Sequence, residues 1–147
     1  MLEIRFTKEI EAPCNIVWSV ITNAHEYAEW NEFVTSCRSS FEVGSPIKMK
    51  VRVLPFFSMP QQETIRRCED GCLIEYGFCK PLGMLSSSRH HILTSTGEAK
   101  TRYESVLVLK GWLAPIVRLM LGRQLRRGFG DMTEGIACRS EQIYKRQ

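Results

Sequence analysis

From Ser36 to Pro115 the chain is cut into strand-length runs by six turn segments that alternate in chemistry, and this constrains the fold most. LPFFSMP (Leu54 to Pro60), KPLGML (Lys80 to Leu85) and KGWLAP (Lys110 to Pro115) are apolar. EVGS (Glu42 to Ser45), EDG (Glu69 to Gly71) and TGEAK (Thr96 to Lys100) are polar and turn-like. In an antiparallel meander successive turns fall at opposite ends, so the three apolar segments are expected to converge on one end. Connections are ordinarily solvated, and converging apolar ones mark a ligand mouth, a membrane contact or a partner surface, unless they simply pack locally.

The runs themselves read as Ser36 to Phe41, Ile47 to Leu54, Gln62 to Cys68, Leu73 to Cys79, Ser88 to Ser95 and Thr101 to Leu109. Before them, LEIRFTKEIEA alternates as a strand with Ile4, Phe6, Lys8 and Ile10 on one face. Pro13 ends it, Asn15 is placed to cap a short helix through Ile16, Val17, Val20 and Ile21, and a second short helix is expected over His25 to Glu29. Gly111 to Arg146 has helical periodicity, with Ala114, Arg118, Leu121, Leu125, Phe129, Met132, Ile136 and Ile143 on one stripe. Arg123, Arg127, Glu134, Glu141 and Lys145 fall opposite. Four interior glycines, Gly122, Gly128, Gly130 and Gly135, predict a bend or a close backbone approach.

At 147 residues the chain fits one domain, residues 1–147, able to bury roughly two thirds of the surface it exposes when unfolded. Its start lacks the cationic then apolar pattern of a signal peptide, and no apolar run reaches the ~20 residues of a membrane span, so a cytoplasmic protein is expected. Cys14, Cys37, Cys68, Cys72, Cys79 and Cys138 are scattered through a domain that does not need disulfides, and reduced thiols are expected. Nothing beside Cys68 and Cys72 completes a zinc site, so neither metal nor cofactor is expected. A formal charge of +4 permits weak attraction to anions. Arg66, Arg67, Arg118, Arg123, Arg126 and Arg127 lack interleaved stacking aromatics, which argues against a nucleic-acid partner.

APCNIVWSVI (Ala12 to Ile21), EYAEWNEF (Glu26 to Phe33), the Gly-Trp-Leu-Ala-Pro segment from Gly111 and the long terminal helix resemble the START-like (SRPBCC) superfamily, in particular its polyketide cyclase/dehydrase-like group. The resemblance implies an α+β helix-grip fold: a curved seven-stranded antiparallel sheet around a long C-terminal helix, closed at one end by two short helices. It also implies a cavity for an apolar small molecule. Glu32, where relatives often carry proline, and Ser105, where several carry other polar side chains, depart from the pattern.

His90 and His91 are adjacent on a strand, so one faces in and one out, and alternation with Ile92 and Thr94 favours His90 inward. His90, Tyr103 and Ser105 are the catalytic candidates, since a cavity histidine titrates near neutral pH and a tyrosine hydroxyl can orient a carbonyl. Arg89 and Arg102 are expected on the outer surface. Phe56, Phe57, Tyr76, Phe78, His90, Ile92, Tyr103, Leu107, Arg118, Leu121, Leu125, Phe129 and Met132 are the expected ligand contacts, with Arg118 available to a carboxylate or phosphate near the mouth. Trp18, Trp30 and Trp112 are expected to be structural anchors.

Three functions are open at this level. The first is binding of an apolar or amphipathic, lipid-like or polyketide-like small molecule. The second is a cyclase or dehydratase working by acid–base chemistry in the same cavity. The third is a module that docks on a membrane or a protein through the apolar loop end, with transient membrane contact. Oligomeric state is not legible.

Overall fold

The computed structural model describes all residues from Met1 to Gln147. Strand β1 (Leu2–Ile10) is followed by helix α1 (Cys14–Thr22), a 3-10 turn (Ala24–Glu26) and helix α2 (Tyr27–Trp30). Strands β2 (Val34–Arg38), β3 (Pro46–Leu54), β4 (Phe57–Glu69), β5 (Leu73–Cys79), β6 (Ser86–Gly97) and β7 (Lys100–Lys110) lead into helix α3 (Ala114–Lys145). The strands form one antiparallel sheet in the order β1-β7-β6-β5-β4-β3-β2. Only the step from β1 to β2 crosses the sheet, and α1 and α2 make it. The curled sheet wraps α3, which is the helix-grip arrangement.

Local chemistry accounts for most boundaries. Alternation in β1 buries Leu2, Ile4 and Ile10 and leaves Glu3, Arg5 and Glu9 in water. α1 starts at Cys14, one residue before Asn15, with Pro13 in the cap position, whose carbonyl accepts the Ile16 and Val17 amides at 3.1 and 3.3 Å; no side chain caps it. Proline fixes an extended entry there, so the asparagine cap is not used. The apolar LPFFSMP segment is mostly strand: Leu54 pairs with Phe57, and only Pro55 and Phe56 form the turn. No helix is long and apolar enough to cross a membrane.

The core has two parts. The larger lies where α1 and α2 meet α3 and includes Ile10, Val17, Ile21, Tyr27, Ile74 and Ile136. The smaller, at the apolar loop end, holds Leu2, Ile4, Leu107, Leu109 and Ala114. Leu125 and Phe129 touch both clusters from α3.

Three of the four α3 glycines, Gly128, Gly130 and Gly135, serve close approach. A Cβ on Gly128 would lie 2.2 Å from the Phe33 ring, which is pinned edge-to-face on Phe129 at 4.9 Å between centroids. At Gly122 the nearest atom would be 3.7 Å away, on the Arg118 side chain. Gly122→Ala is therefore expected to stabilise the protein by up to about 1 kcal/mol through helix propensity. Gly128→Ala is expected to destabilise it by about 1 to 3 kcal/mol through overpacking. Urea unfolding of both variants reads the contrast; equal effects would mean that Phe33 yields freely.

Candidate ligand cavity

Between the two core clusters the sheet and α3 stand apart and leave a cavity of about 260 Å³. Of its 21 lining residues 16 are hydrophobic, so its walls favour apolar matter. The walls come from β3 and β4 (Met49, Val51, Val53, Met59), β5 (Tyr76, Phe78), β7 (Leu107, Leu109) and α3 (Val117, Leu121, Leu125, Phe129, Met132). Met59 and Lys80 line it and are exposed, so it opens at the apolar loop end.

The interior is charged. Arg89, only 2% exposed, points inward from β6 and donates to Ser105 Oγ at 2.7 Å and to the carbonyls of His90 and Val106 at 3.1 and 3.4 Å. Its guanidinium lies 4.6 Å from the Phe129 ring centroid and 3.8 Å from Met132 Sδ, while its Nε has no protein partner. Glu63, 8% exposed, enters from β4, and its Oε1 is also unpartnered. Burial pushes the Glu63 carboxyl up to about 7, against the lowering pull of the Arg89 and Arg66 guanidiniums. An acid that titrates near neutral pH and a fixed cation therefore face one apolar space.

Behind this floor lies a relay of hydroxyls and imidazole. His91 Nδ1 and the Tyr103 hydroxyl are 2.7 Å apart, and His91 Nε2 and the Tyr76 hydroxyl are 3.2 Å apart. Burial, then Arg89 and His90, hold the imidazole well below its ordinary value, so it stays neutral. A neutral ring has one N–H and one acceptor nitrogen, so one tyrosine accepts from it and the other donates to it. Tyr76 alone of the three lines the cavity. Burial raises both tyrosines, which hold their protons at neutral pH.

Tyr76, Phe78, Leu107, Leu121, Leu125, Phe129 and Met132 lie on the cavity wall, where the sequence pattern put them. His90 does not: it faces outward, with Nε2 3.2 Å from Glu75 Oε1, and His91 is the buried one. Ile92 shares the outer face with His90, whereas the inward set of β6 is Ser87, Arg89, His91 and Leu93. Arg89 is thus inside rather than on the surface, and a polar set on the inner face is why apolar alternation misplaced it. Arg102 does sit outside, paired with Glu9 at 3.1 Å. Tyr103 and Ser105 are buried behind the cavity without lining it.

Phe56 and Phe57 stand exposed at the β3–β4 turn, off the cavity. Arg118 is exposed because the buried line of α3 rotates along its length, from Val117 and Leu121 near the start to Ala137 and Ser140 near the end. A fixed wheel over so long a helix ignores that drift. Trp18 and Trp30 are half-buried against the core. Trp112 is mostly exposed and donates from Nε1 to the Leu82 carbonyl at 3.2 Å, so it ties two loops together at the surface. Sequence reasoning also missed Glu63 and Gln61, since β4 is polar on both faces through this stretch, and Lys80, which stands in the loop after β5.

A curled antiparallel sheet gripping one long helix around an apolar cavity is the architecture of the START-like superfamily. Within it, the chain belongs to the family described as polyketide cyclase / dehydrase and lipid transport, whose model matches residues 1–141. Among solved structures it is similar to a protein from Thermus thermophilus, at 14% identity and a TM-score of 0.74, covering 97% of this chain and 99% of that one. It is also similar to norcoclaurine synthase from Thalictrum flavum in complex with dopamine and hydroxybenzaldehyde, at 13% identity and a TM-score of 0.71, over 99% and 88% of the two chains. A third is the di-domain ARO/CYC StfQ from the steffimycin biosynthetic pathway, at 14% identity and a TM-score of 0.70, covering 99% of this chain and 51% of that one. At such identities the likeness speaks for the fold alone. No curated protein matches the sequence.

Proposed function

We propose that the protein binds an apolar or amphipathic small molecule whose body fills the cavity and whose polar end reaches Arg89 and Glu63. The observation that carries this is the unpartnered pair of polar atoms, Arg89 Nε and Glu63 Oε1, buried in a cavity that is otherwise mostly apolar. Buried polar groups normally find partners, and a bound carboxylate, enol or carbonyl would supply them. An apolar cavity of ~150 Å³ holds benzene. A space of about 260 Å³ therefore suits a body of about two fused rings or a short amphiphile. The family description, which joins cyclases with lipid transport, agrees with such a ligand class.

The test is native mass spectrometry of gently purified protein, followed by solvent extraction and identification of retained compounds. An apolar ring system or chain with an oxygen-bearing end, displaced in Arg89→Met, is the expected result. Retention of nothing from any extract of the source cells, together with no binding of amphiphiles by calorimetry, would end this reading.

One observation favours a second reading, an enzyme of the cyclase or dehydratase kind. Glu63, pushed up to about 7, can both take and return a proton near neutral pH. Arg89 would stabilise the enolate formed when Glu63 removes a proton beside a carbonyl, and the Tyr76 hydroxyl would orient the substrate. The names of two structurally similar proteins, a synthase and an ARO/CYC, are consistent with that chemistry.

A further inference from the structure

We propose that the apolar end of this protein docks on the surface of an anionic lipid bilayer. Leu82 is 91% exposed and Phe56 88%, and Trp112, Ile116, Leu119 and Met120 also lie in water. They form one surface. Trp112 bonds to the Leu82 carbonyl, while the Leu54 and Pro55 end of the β3–β4 hairpin borders a cleft shared with Arg123 and Arg127 of α3. Ile116, Leu119 and Met120 share a face of α3 opposite the side on which Val117, Leu121 and Leu125 line the cavity, and Trp112 stands in the turn just before the helix. The first turns of α3 are thus apolar on both sides, and one side has nothing to cover it.

The charge on this surface is mainly positive. Each of the three apolar loops lies in a stretch without aspartate or glutamate: Val43 to Gln62, Tyr76 to Gly97 and Ser105 to Gly130. Those stretches place Arg52, Lys80, Lys110, Arg118, Arg123 and Arg127 around the apolar patch. None of these six pairs with a carboxylate; the protein's ion pairs lie elsewhere. Glu32 and Asp131 border the arginine cleft without pairing. The acids of the polar turns, Glu42, Glu69, Asp70 and Glu98, sit at the opposite end.

This polarity selects the occupant. A second copy joined about a twofold axis would set these cations against their own equivalents. A bilayer with anionic headgroups neutralises the basic rim while its acyl layer takes the apolar side chains. The cavity opens at the same end, so docking sets its mouth against the lipid.

The test is co-sedimentation with large vesicles of phosphatidylcholine alone or mixed equally with phosphatidylglycerol, together with quenching of tryptophan fluorescence by brominated lipid. We expect binding to the anionic vesicles, loss of it in high salt, and quenching that Trp112→Phe removes. Leu119→Ser with Met120→Ser is expected to weaken binding about tenfold or more. Arg123→Glu with Arg127→Glu is expected to do so by a similar factor or more, without lowering the melting temperature. Absence of wild-type binding to anionic vesicles, or equal binding by the variants, would overturn the proposal. So would a dimer in sedimentation equilibrium that the same variants dissolve, which would give the face to a second copy. The assay contains no cavity ligand, so its failure leaves the proposed cavity function standing.

Discussion

Glu63→Gln is expected to raise stability at about pH 8 by about 3 kcal/mol and to remove the loss of stability that the Glu63 carboxyl contributes between about pH 5 and 7. Burial lifts this carboxyl from its ordinary 4.5 to about 7. Between those values the folded protein holds a proton that the unfolded chain has released. Stability therefore falls as the pH rises and levels off above about 7, where both states are ionised. The shift converts to about 3 kcal/mol at ~1.4 kcal/mol per unit. Glutamine cannot ionise, so the cost of the buried charge disappears.

His91 acts in the other direction. Its folded value lies well below the ordinary 6.5, so acid protonates the unfolded chain first, and stability is lost as the pH falls below about 6.5. Between about pH 5 and 6.5 the two contributions oppose each other, so the wild-type curve is nearly flat there, whereas the variant should show the acid loss alone. Urea unfolding across the pH range reads this directly, and parallel curves for wild type and variant would show that Glu63 is solvated. If the protein is an enzyme, the same substitution should cut turnover by about 10²- to 10⁴-fold.

Arg89→Met should weaken binding of a bicyclic aromatic carboxylate by about 10- to 100-fold while leaving its methyl ester within about threefold. A hydrogen bond to a charged group contributes ~1.5 to 3 kcal/mol, and the ester forfeits most of it in the wild type already. Methionine fills much of the same volume against Met132 and Phe129, which keeps the shape of the cavity even though the buried Ser105 hydroxyl loses its donor. Calorimetry with the two compounds separates head-group recognition from a general loss of shape, which would weaken both alike. The two sites are coupled: Arg89 lowers Glu63, so the carboxyl should climb beyond about 7 in Arg89→Met and the alkaline loss of stability should move upward with it.

Much of this molecule is legible in the chain. Period-two runs broken by turn residues mark the strands, because a strand with one covered face must alternate. Gly111 to Arg146 announces the terminal helix, since its apolar positions recur at helical spacing over many turns, and α3 occupies Ala114–Lys145 within it. The alternating chemistry of the turns places the mouth, because hairpin turns must fall at alternate ends. Part of the apolar cavity wall, Tyr76, Phe78, Leu107, Leu121, Leu125, Phe129 and Met132, follows from those patterns, whereas Met49, Val51, Val53, Leu109 and Val117 came only with the folded sheet.

The charged interior does not follow from them. A hairpin continued in register from the Gly97–Lys100 pair would set Tyr103 opposite Thr94, Ser105 opposite Ile92 and Leu107 opposite His90. A β-bulge between Ser95 and Gly97 shifts each partner by one: Tyr103 faces Leu93, Ser105 faces His91 and Leu107 faces Arg89. Side chains alternate with a period of two, so a shift of one residue exchanges the whole inner and outer sets of β6. Pattern alone thus determined the elements, their order and the apolar end. Only the folded sheet decided that Arg89 and His91 lie inside, because a bulge is a property of how two strands pair and leaves no mark on the alternation of either one.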